Sequence, residues 1–289
     1  PTGPPILPTR FPAVVLLSDS GANDRDGYAA GVPIVGQLAG AMADAGFLSV
    51  RYDKRGTGQS GGRAESATLS DFADDASVVV KWLQARKDVD PKRIAVLGHG
   101  EGAWVALLAA GRDNRIAAVV ALAAPSTTGA ELVLEQQLST LDRLNVSPGE
   151  RQEKIALQKK IHSAVVSGTG WEGVPPEMRR QADTPWFQSL LAFDPAKVIR
   201  NVRQPMLFLH GQIDRQIPVE HVERIANLAR TTSKSKSVEV VTVRGANHLL
   251  VPAVTGEAAE YGTLPSRNVS PDVTTAITGW LSKTSQTIK

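Results

Sequence analysis

Cysteine is absent from this chain of 289 residues, and its absence removes several chemistries at once. Without a thiol there is no disulfide, no cysteine nucleophile and no thiolate metal ligand. The histidines supply no metal-binding spacing such as His-x-x-x-His, so the sequence predicts no metal site and no cofactor. No apolar run reaches about 18 residues, so we expect no membrane-spanning helix.

A strong excess of either charge is also missing, because 32 basic and 29 acidic residues give a net charge of +3. The basic residues form no cluster interleaved with aromatic side chains. Nucleic acid is therefore not expected as a partner. The chain opens on Pro1 rather than on methionine, so we expect the natural start to be missing, and a cleaved export signal stays open.

Six short runs rich in Val, Leu and Ile predict strands, and amphipathic segments between them predict helices. Continuous apolar runs are typical of strands buried on both faces of a parallel sheet. The runs lie at 13–18, 47–52, 93–97, 116–123, 205–210 and 237–243, with helical periodicity at 34–45, 69–87, 101–112, 219–230 and 270–283. This alternation predicts an α/β fold with a mostly parallel central sheet flanked by helices.

One long segment interrupts the alternation. Residues 126–200 contain no good strand but several helical stretches, such as "ELVLEQQLSTLDRL". We expect residues 1–125 and 201–289 to form the core, and residues 126–200 to be a helical insertion between two strands of one sheet.

The stretch "IAVLGHGEGAW" at 94–104 predicts a strand, a tight turn and a helix. Gly98, Gly100 and Ala103 satisfy the dinucleotide-binding pattern G-x-G-x-x-A, in which a pyrophosphate approaches a helix N-terminus. The context disfavours that interpretation. The following strand at 116–123 carries no acidic residue for a ribose, and the motif lies in mid-sheet rather than in an opening βαβ unit.

The same turn fits a nucleophile elbow, G-x-S-x-G, with Gly100 where the serine should stand. An elbow needs small flanking residues because strand and helix pack closely, and Gly98 and Gly102 meet that need. The backbone N–H after the central residue, here that of Glu101, points at the oxyanion of the reaction.

Two later residues complete the pattern of a catalytic triad. Asp214 follows the predicted strand in "PMLFLHGQIDRQIP", and His248 follows the next strand in "VEVVTVRGANHLL". The order of nucleophile position, acid and base along the chain is that of α/β-hydrolases. The other histidines, including His99 within the elbow, are assigned to structural roles.

Five segments together carry a family resemblance over roughly residues 10 to 285. They are "FPAVVLLSDSGANDRDG", "RYDKRGTGQSGG", "GHGEGA", "LHGQIDRQIP" and "NHLLVPAVTGEAAEYG". In these motifs and their order, the chain resembles the bacterial serine esterases among the dienelactone-hydrolase-like and S33-peptidase-like α/β-hydrolases. That resemblance implies an α/β-hydrolase fold, a small-molecule acyl ester as substrate and hydrolysis through an acyl-enzyme, either in the bacterial cytoplasm or after export.

The resemblance also implies roles for particular residues. His248 would be the general base, Asp214 would orient it, and position 100 would hold the nucleophile. The oxyanion donors would be the backbone N–H of Glu101 and one from the loop near Ser20. The helical insertion would be a cap over the acyl pocket, and its aromatic residues are candidates for the substrate-binding lining: Trp171, Trp186 and Phe187.

Two residues depart from the family pattern. Gly100 has no oxygen with which to form an acyl-enzyme, and Asp19 stands where the family usually has glycine. A carboxylate facing a developing oxyanion would be unfavourable unless it points away. Three hypotheses follow: an esterase inactivated by replacement of its serine, a natural binding or regulatory protein on a hydrolase scaffold, or a hydrolase in which His248 activates water directly.

Overall fold

Six parallel strands form the central sheet of the computed structural model, which describes residues 10–287. A separate antiparallel ribbon pairs Tyr28–Ala29 with Val32–Pro33. The strands are β1 (Phe11–Leu17), β2 (Tyr28–Ala29), β3 (Val32–Pro33), β4 (Leu48–Arg51), β5 (Val89–His99), β6 (Ala118–Leu122), β7 (Met206–Gly211) and β8 (Val238–Val243). The order in the sheet is β4-β1-β5-β6-β7-β8, and every pairing in it is parallel. The prediction of an α/β fold with a parallel sheet is confirmed.

Helices cover both faces of this sheet. They are α1 (Ile34–Asp44), α2 (Leu69–Gln84), α3 (Glu101–Arg112), α4 (Gly129–Arg143), α5 (Pro148–Ser167), α6 (Pro176–Ala182), α7 (Pro185–Leu191), α8 (Pro195–Ile199), α9 (Glu220–Thr232) and α10 (Pro271–Thr287). Short 3₁₀ turns lie at Ala64–Ser66 and Ala258–Thr263. Within residues 10–287, none of the helices combines the length and apolar character that a membrane crossing requires.

Alternate side chains of β1 show why the strand runs are continuously apolar. Ala13, Val15 and Leu17 belong to the hydrophobic cluster on one face of the sheet, and Val14 and Leu16 belong to the cluster on the other. Because successive side chains of a strand point to opposite faces, a strand covered on both sides must be apolar at every position.

The fifth strand starts earlier than the apolar run at 93–97 suggests. It begins at Val89, which pairs with Phe11, and an irregularity in the ladder follows before Ala13 pairs with Ile94. The polar residues between Val89 and Ile94 conceal this part of the strand from hydropathy, although the backbone continues to pair with β1.

Helices α4 to α7 lie between β6 and β7 and have a small hydrophobic cluster of their own. Ile161, Val165, Trp171 and Leu191 are buried in it. The insertion also contacts the main cluster of the sheet, to which Leu132 of α4, Leu190 of α7 and Ile199 of α8 belong. The sequence-based boundaries of the insertion, 126–200, stay a prediction.

The segments that follow β1, β5, β7 and β8 meet at one edge of the sheet. In a parallel sheet the carboxyl ends of all strands share that edge, and ligand sites of open α/β sheets form there. Asp19 follows β1, Gly100 follows β5, Asp214 follows β7 and His248 follows β8.

Candidate active site

The turn after β5 has the backbone conformation of a strained elbow. Gly100 has φ of +56° and ψ of −118°, which residues with a side chain rarely adopt, and α3 begins directly after it. Its N–H donates to the carbonyl oxygen of Leu122 at 2.9 Å. A Cβ at Gly98 would overlap the backbone of Gly102, and a Cβ at Gly102 would overlap the carbonyl oxygens at the end of β1, so both flanking positions must stay small.

Asp214 and His248 form a buried hydrogen-bonded pair. The distance from Nδ1 of His248 to Oδ2 of Asp214 is 2.7 Å. The other carboxylate oxygen of Asp214 accepts the backbone N–H groups of Gln216 and Ile217, at 2.8 and 2.9 Å. These bonds fix the carboxylate, and the carboxylate fixes the imidazole with Nε2 directed at the space over Gly100.

That space is filled by Asp19. A Cβ built on Gly100 would overlap the carboxyl group of Asp19, and Oδ2 of Asp19 lies 3.1 Å from Nε2 of His248. The side chain of Asp19 is 29% exposed. The sequence identified Asp19 as a departure from the family pattern, but gave no indication that its carboxylate turns into the site.

Both predicted oxyanion donors point at the same oxygen of Asp19. The backbone N–H of Ser20 lies 2.6 Å from Oδ1 of Asp19, and that of Glu101 lies 2.8 Å from it. The structure thus brings Ser20, Glu101, His248 and Asp214 together around Gly100. The anion at their centre is an internal carboxylate.

The charges of Asp19, His248 and Asp214 stabilise one another. Burial by itself lowers the pKa of His248, but the charge of Asp214 and the hydrogen bonds to Asp19 and Asp214 raise that pKa to about 10. Burial opposes ionisation of Asp19, yet its hydrogen bond to His248 and the nearby imidazoles hold its pKa well below the usual range. An imidazolium between two carboxylates is therefore the favoured state at neutral pH.

His99 adds a second imidazole to the group. Its Nε2 lies 2.8 Å from the carbonyl oxygen of His248, and the two rings are 4.8 Å apart at their centroids. Ligand-type atoms of Asp19, His99 and His248 lie within 4.8 Å of one another, so within residues 10–287 these side chains could hold a metal ion. Mutual hydrogen bonds and the carbonyl contact account for this clustering, and the absence of a metal stays a prediction.

A cavity of about 210 Å³ opens above Asp19 and His248. The elbow side of its wall includes Gly100, Glu101 and Trp104. The insertion supplies the opposing apolar wall, which consists of Leu132, Val133, Trp186, Phe187 and Leu190.

The three aromatic residues proposed for the lining do not share one location. Trp186 and Phe187 line the cavity. Trp171 is buried in the hydrophobic cluster of the insertion, where the guanidinium of Arg179 lies 5.1 Å from its ring, and it is not among the cavity residues. The position of Trp171 in a glycine-rich connection gave no signal that distinguishes these two locations.

A buried ion pair that sequence reasoning missed holds the elbow and the Asp19 loop together. Nζ of Lys54 lies 2.5 Å from Oε1 of Glu101 and also donates to the carbonyl oxygen of Asp19 at 3.1 Å. The indole N–H of Trp186 donates to the other oxygen of Glu101 at 2.8 Å. Asn23 supports the loop from the other side, since its amide donates to the carbonyl oxygens of Asp19 and Ser20.

A parallel sheet in this strand order, with an elbow after β5, an acid after β7 and a histidine after β8, is the arrangement of the α/β-hydrolase fold, and solved α/β-hydrolases share this fold. Residues 26–167 match the family described as serine aminopeptidase, S33. The chain is 28% identical over 276 residues to esterase EstD of Thermotoga maritima, an alignment that covers 94% of this chain and 62% of that protein. It therefore spans less than two thirds of that relative's length.

Solved structures share the fold at low sequence identity. Est1E from Butyrivibrio proteoclasticus, in a structure with ferulic acid bound, has a TM-score of 0.57 and 16% identity, and the match covers 96% of this chain and 90% of that one. The α/β hydrolase GrgF from Penicillium sp. sh18 has a TM-score of 0.59 and 19% identity, with coverages of 97% and 91%.

Proposed function

We propose that this chain carries the hydrolytic site of a carboxylic-ester hydrolase in a form that lacks the serine nucleophile and has little activity on simple esters. The observation that carries the proposal is the convergence of His248 Nε2 and the N–H groups of Ser20 and Glu101 beside Gly100. The similarity to esterase EstD supports the ester as substrate.

Each part of this site has a role in acyl transfer. A hydroxyl at position 100 would stand next to His248, which would take its proton, and Asp214 would hold the imidazole and stabilise its positive charge. The N–H groups of Ser20 and Glu101 would hold the oxyanion of the tetrahedral intermediate. Gly100 supplies no oxygen, and Asp19 occupies the place of both the hydroxyl and the oxyanion.

Loss of a triad nucleophile lowers kcat by about 10⁶-fold in a well-studied serine protease. We therefore expect this chain to hydrolyse p-nitrophenyl acetate and butyrate near the buffer rate. Gly100→Ser alone should gain little, because its side chain meets the carboxyl group of Asp19. The double variant Asp19→Gly with Gly100→Ser should raise kcat/KM by about 10³-fold or more, because it restores hydroxyl and oxyanion hole together.

The matched control is Asp19→Gly with Gly100→Ala, which clears the same carboxylate without adding a hydroxyl. It should stay near the buffer rate. If the serine variant is folded and still no better than this control, the site does not work as an esterase. A binding role on a hydrolase scaffold would then be favoured, because Asp19 already satisfies the donors that a substrate would need.

A further inference from the structure

A second cavity, of about 240 Å³, has a polar lining. Gln136, Ser139, Thr140 and Arg143 line it from α4, where their spacing of three and four residues puts them on one face of the helix. Arg215, from the loop after β7, contributes a second guanidinium. None of the residues that line this cavity, in the part of the chain that the structure describes, is acidic. A lining of amide, hydroxyl and guanidinium donors favours an anionic ligand.

The two arginines of this cavity differ in their partners. Nη1 of Arg143 donates to Oε2 of Glu257 at 2.9 Å, and Nη2 donates to the hydroxyl of Thr140 at 3.1 Å. Arg215 is exposed, and its side chain donates from Nε to the carbonyl oxygen of Thr255 at 3.4 Å. Within residues 10–287, no carboxylate lies at ion-pair distance from Arg215. One positive charge at the cavity is therefore unmatched.

This polar cavity adjoins the cavity over Gly100. Gln136 and Gln216 line both, so the two cavities share a wall. Nε2 of Gln136 donates to the carbonyl oxygen of Gln216 at 3.4 Å, which is longer than a usual hydrogen bond of this kind. Along α4 the lining changes from the apolar Leu132 to the cationic Arg143, and the helix rises by about 10 Å between Gln136 and Arg143. A ligand extended along α4 would reach both cavities.

We propose that the ester taken by this site carries a carboxylate at the far end of its acyl chain, and that Arg215 binds this carboxylate together with Arg143 and Thr140. The inference rests on the proposed function for the ester bond and adds the class of acyl group. A planar guanidinium offers parallel N–H donors that match the two oxygens of a carboxylate. The apolar wall formed by Leu132 and Val133 suits the methylene chain between the two ends.

The distribution of charge places the anionic end away from the reacting centre. The imidazolium of His248 lies between the carboxylates of Asp19 and Asp214, so that group carries a net negative charge. The unmatched charge of Arg215 lies in the adjoining cavity. It balances one negative charge, as a carboxylate has, whereas a phosphate monoester carries about −1.5 to −2.

The first test measures binding to the unchanged chain. The probes are monomethyl suberate, which has one ester and one carboxylate, and dimethyl suberate, its neutral match. Isothermal titration calorimetry should show the monoester bound about tenfold more tightly, because the neutral ester lacks the charge-assisted hydrogen bonds to the guanidinium. Equal affinities would overturn the proposal. Tighter binding of a matched ester that ends in phosphate would overturn the choice of a carboxylate.

Variants of Arg215 locate this preference. Arg215→Gln should remove it, and Arg215→Lys should keep part of it, because the charge stays while the planar fork is lost. The matched control is Arg63→Gln, which removes an exposed arginine paired with Glu65 and should leave the preference unchanged. A preference that survives in Arg215→Gln would mean that the anion binds elsewhere, and would overturn the proposal.

The second test measures hydrolysis by the double variant Asp19→Gly with Gly100→Ser. Its kcat/KM should be about tenfold higher for monomethyl suberate than for dimethyl suberate, and adding Arg215→Gln should remove that difference by lowering the value for the monoester alone. A double variant that hydrolyses both esters equally well would overturn this proposal and keep the esterase. A double variant that hydrolyses neither, in a chain that prefers to bind the monoester through Arg215, would overturn the esterase and keep the carboxylate site.

Discussion

The carboxyl group of Asp19 stands directly over Gly100, in the space that a side chain at position 100 would take. The two residues belong to different loops, after β1 and after β5, yet each limits what the other can be. A glycine at position 100 leaves room for the carboxylate, and the carboxylate accepts the backbone N–H groups of Ser20 and Glu101.

The free energy of unfolding should show that Asp19 and Gly100 depend on each other, without any assay of activity. Gly100→Ala should lower the free energy of unfolding by about 1–3 kcal/mol from its positive φ alone, and by more while Asp19 is present. In an Asp19→Gly background the overlap is gone, so the loss should shrink toward the backbone cost. Urea unfolding of the unchanged chain, of Gly100→Ala, of Asp19→Gly and of their combination measures the coupling between the two positions. Equal losses of free energy in both backgrounds would contradict the overlap.

The free energy of unfolding should fall as the pH rises through the alkaline range. The pKa of His248 is raised to about 10 in the folded chain, whereas it is about 6.5 in an unfolded one. Its stabilising contribution is complete below about pH 6.5 and is lost as the pH rises through about 10. Urea unfolding across this range should show the decline. Asp19→Asn should make it shallower, and an unchanged slope would mean that Asp19 does not hold the proton on His248.

Removing only one partner of the Lys54–Glu101 ion pair should strongly lower the free energy of unfolding. Lys54→Met leaves the Glu101 carboxylate buried, and removal of one partner of a buried pair costs about 3–5 kcal/mol. Adding Glu101→Gln should recover part of the loss, because Gln can still accept from the indole of Trp186. The exposed Arg63 offers a control, since Arg63→Met should change the free energy of unfolding by about 0–1 kcal/mol.

Two tryptophans of the insertion should separate cavity effects from packing effects. Trp186→Phe removes the hydrogen bond to Glu101 and changes the cavity wall. In the double variant Asp19→Gly with Gly100→Ser, it should therefore change KM at a modest cost in stability. Trp171→Phe, within the cluster of the insertion, should lower thermal stability and leave KM close to its starting value. Steady-state kinetics and thermal unfolding of both variants check this, and a larger KM change for Trp171→Phe would reverse the assignment.

Much of the fold could be predicted from the sequence, because local signals determine it. The apolar runs correspond to strands of the sheet, and the order of Gly100, Asp214 and His248 follows the order of strand ends. The orientation of Asp19 could not be predicted in this way. It depends on donors from α3 and from the loop after β8, which are distant in sequence and come close only in the folded chain.

The locations of the aromatic residues in the insertion also could not be predicted from the sequence. Trp171 and Trp186 both lie in the insertion, the first buried and the second partly buried, and composition does not separate them. One fills the interior of the insertion, and the other reaches the core through Glu101. The partner decides the role, and the partner of Trp186 lies 85 positions away in the chain.

The hydrogen bond from Trp186 to Glu101 joins the cavity wall formed by the insertion to the residue whose backbone N–H donates to Asp19. A ligand large enough to displace the indole would break this hydrogen bond, and we expect Glu101 then to be held less firmly. A small ligand would leave the indole and its hydrogen bond to Glu101 in place. We therefore expect the size of a bound ligand to determine how firmly Glu101 is held.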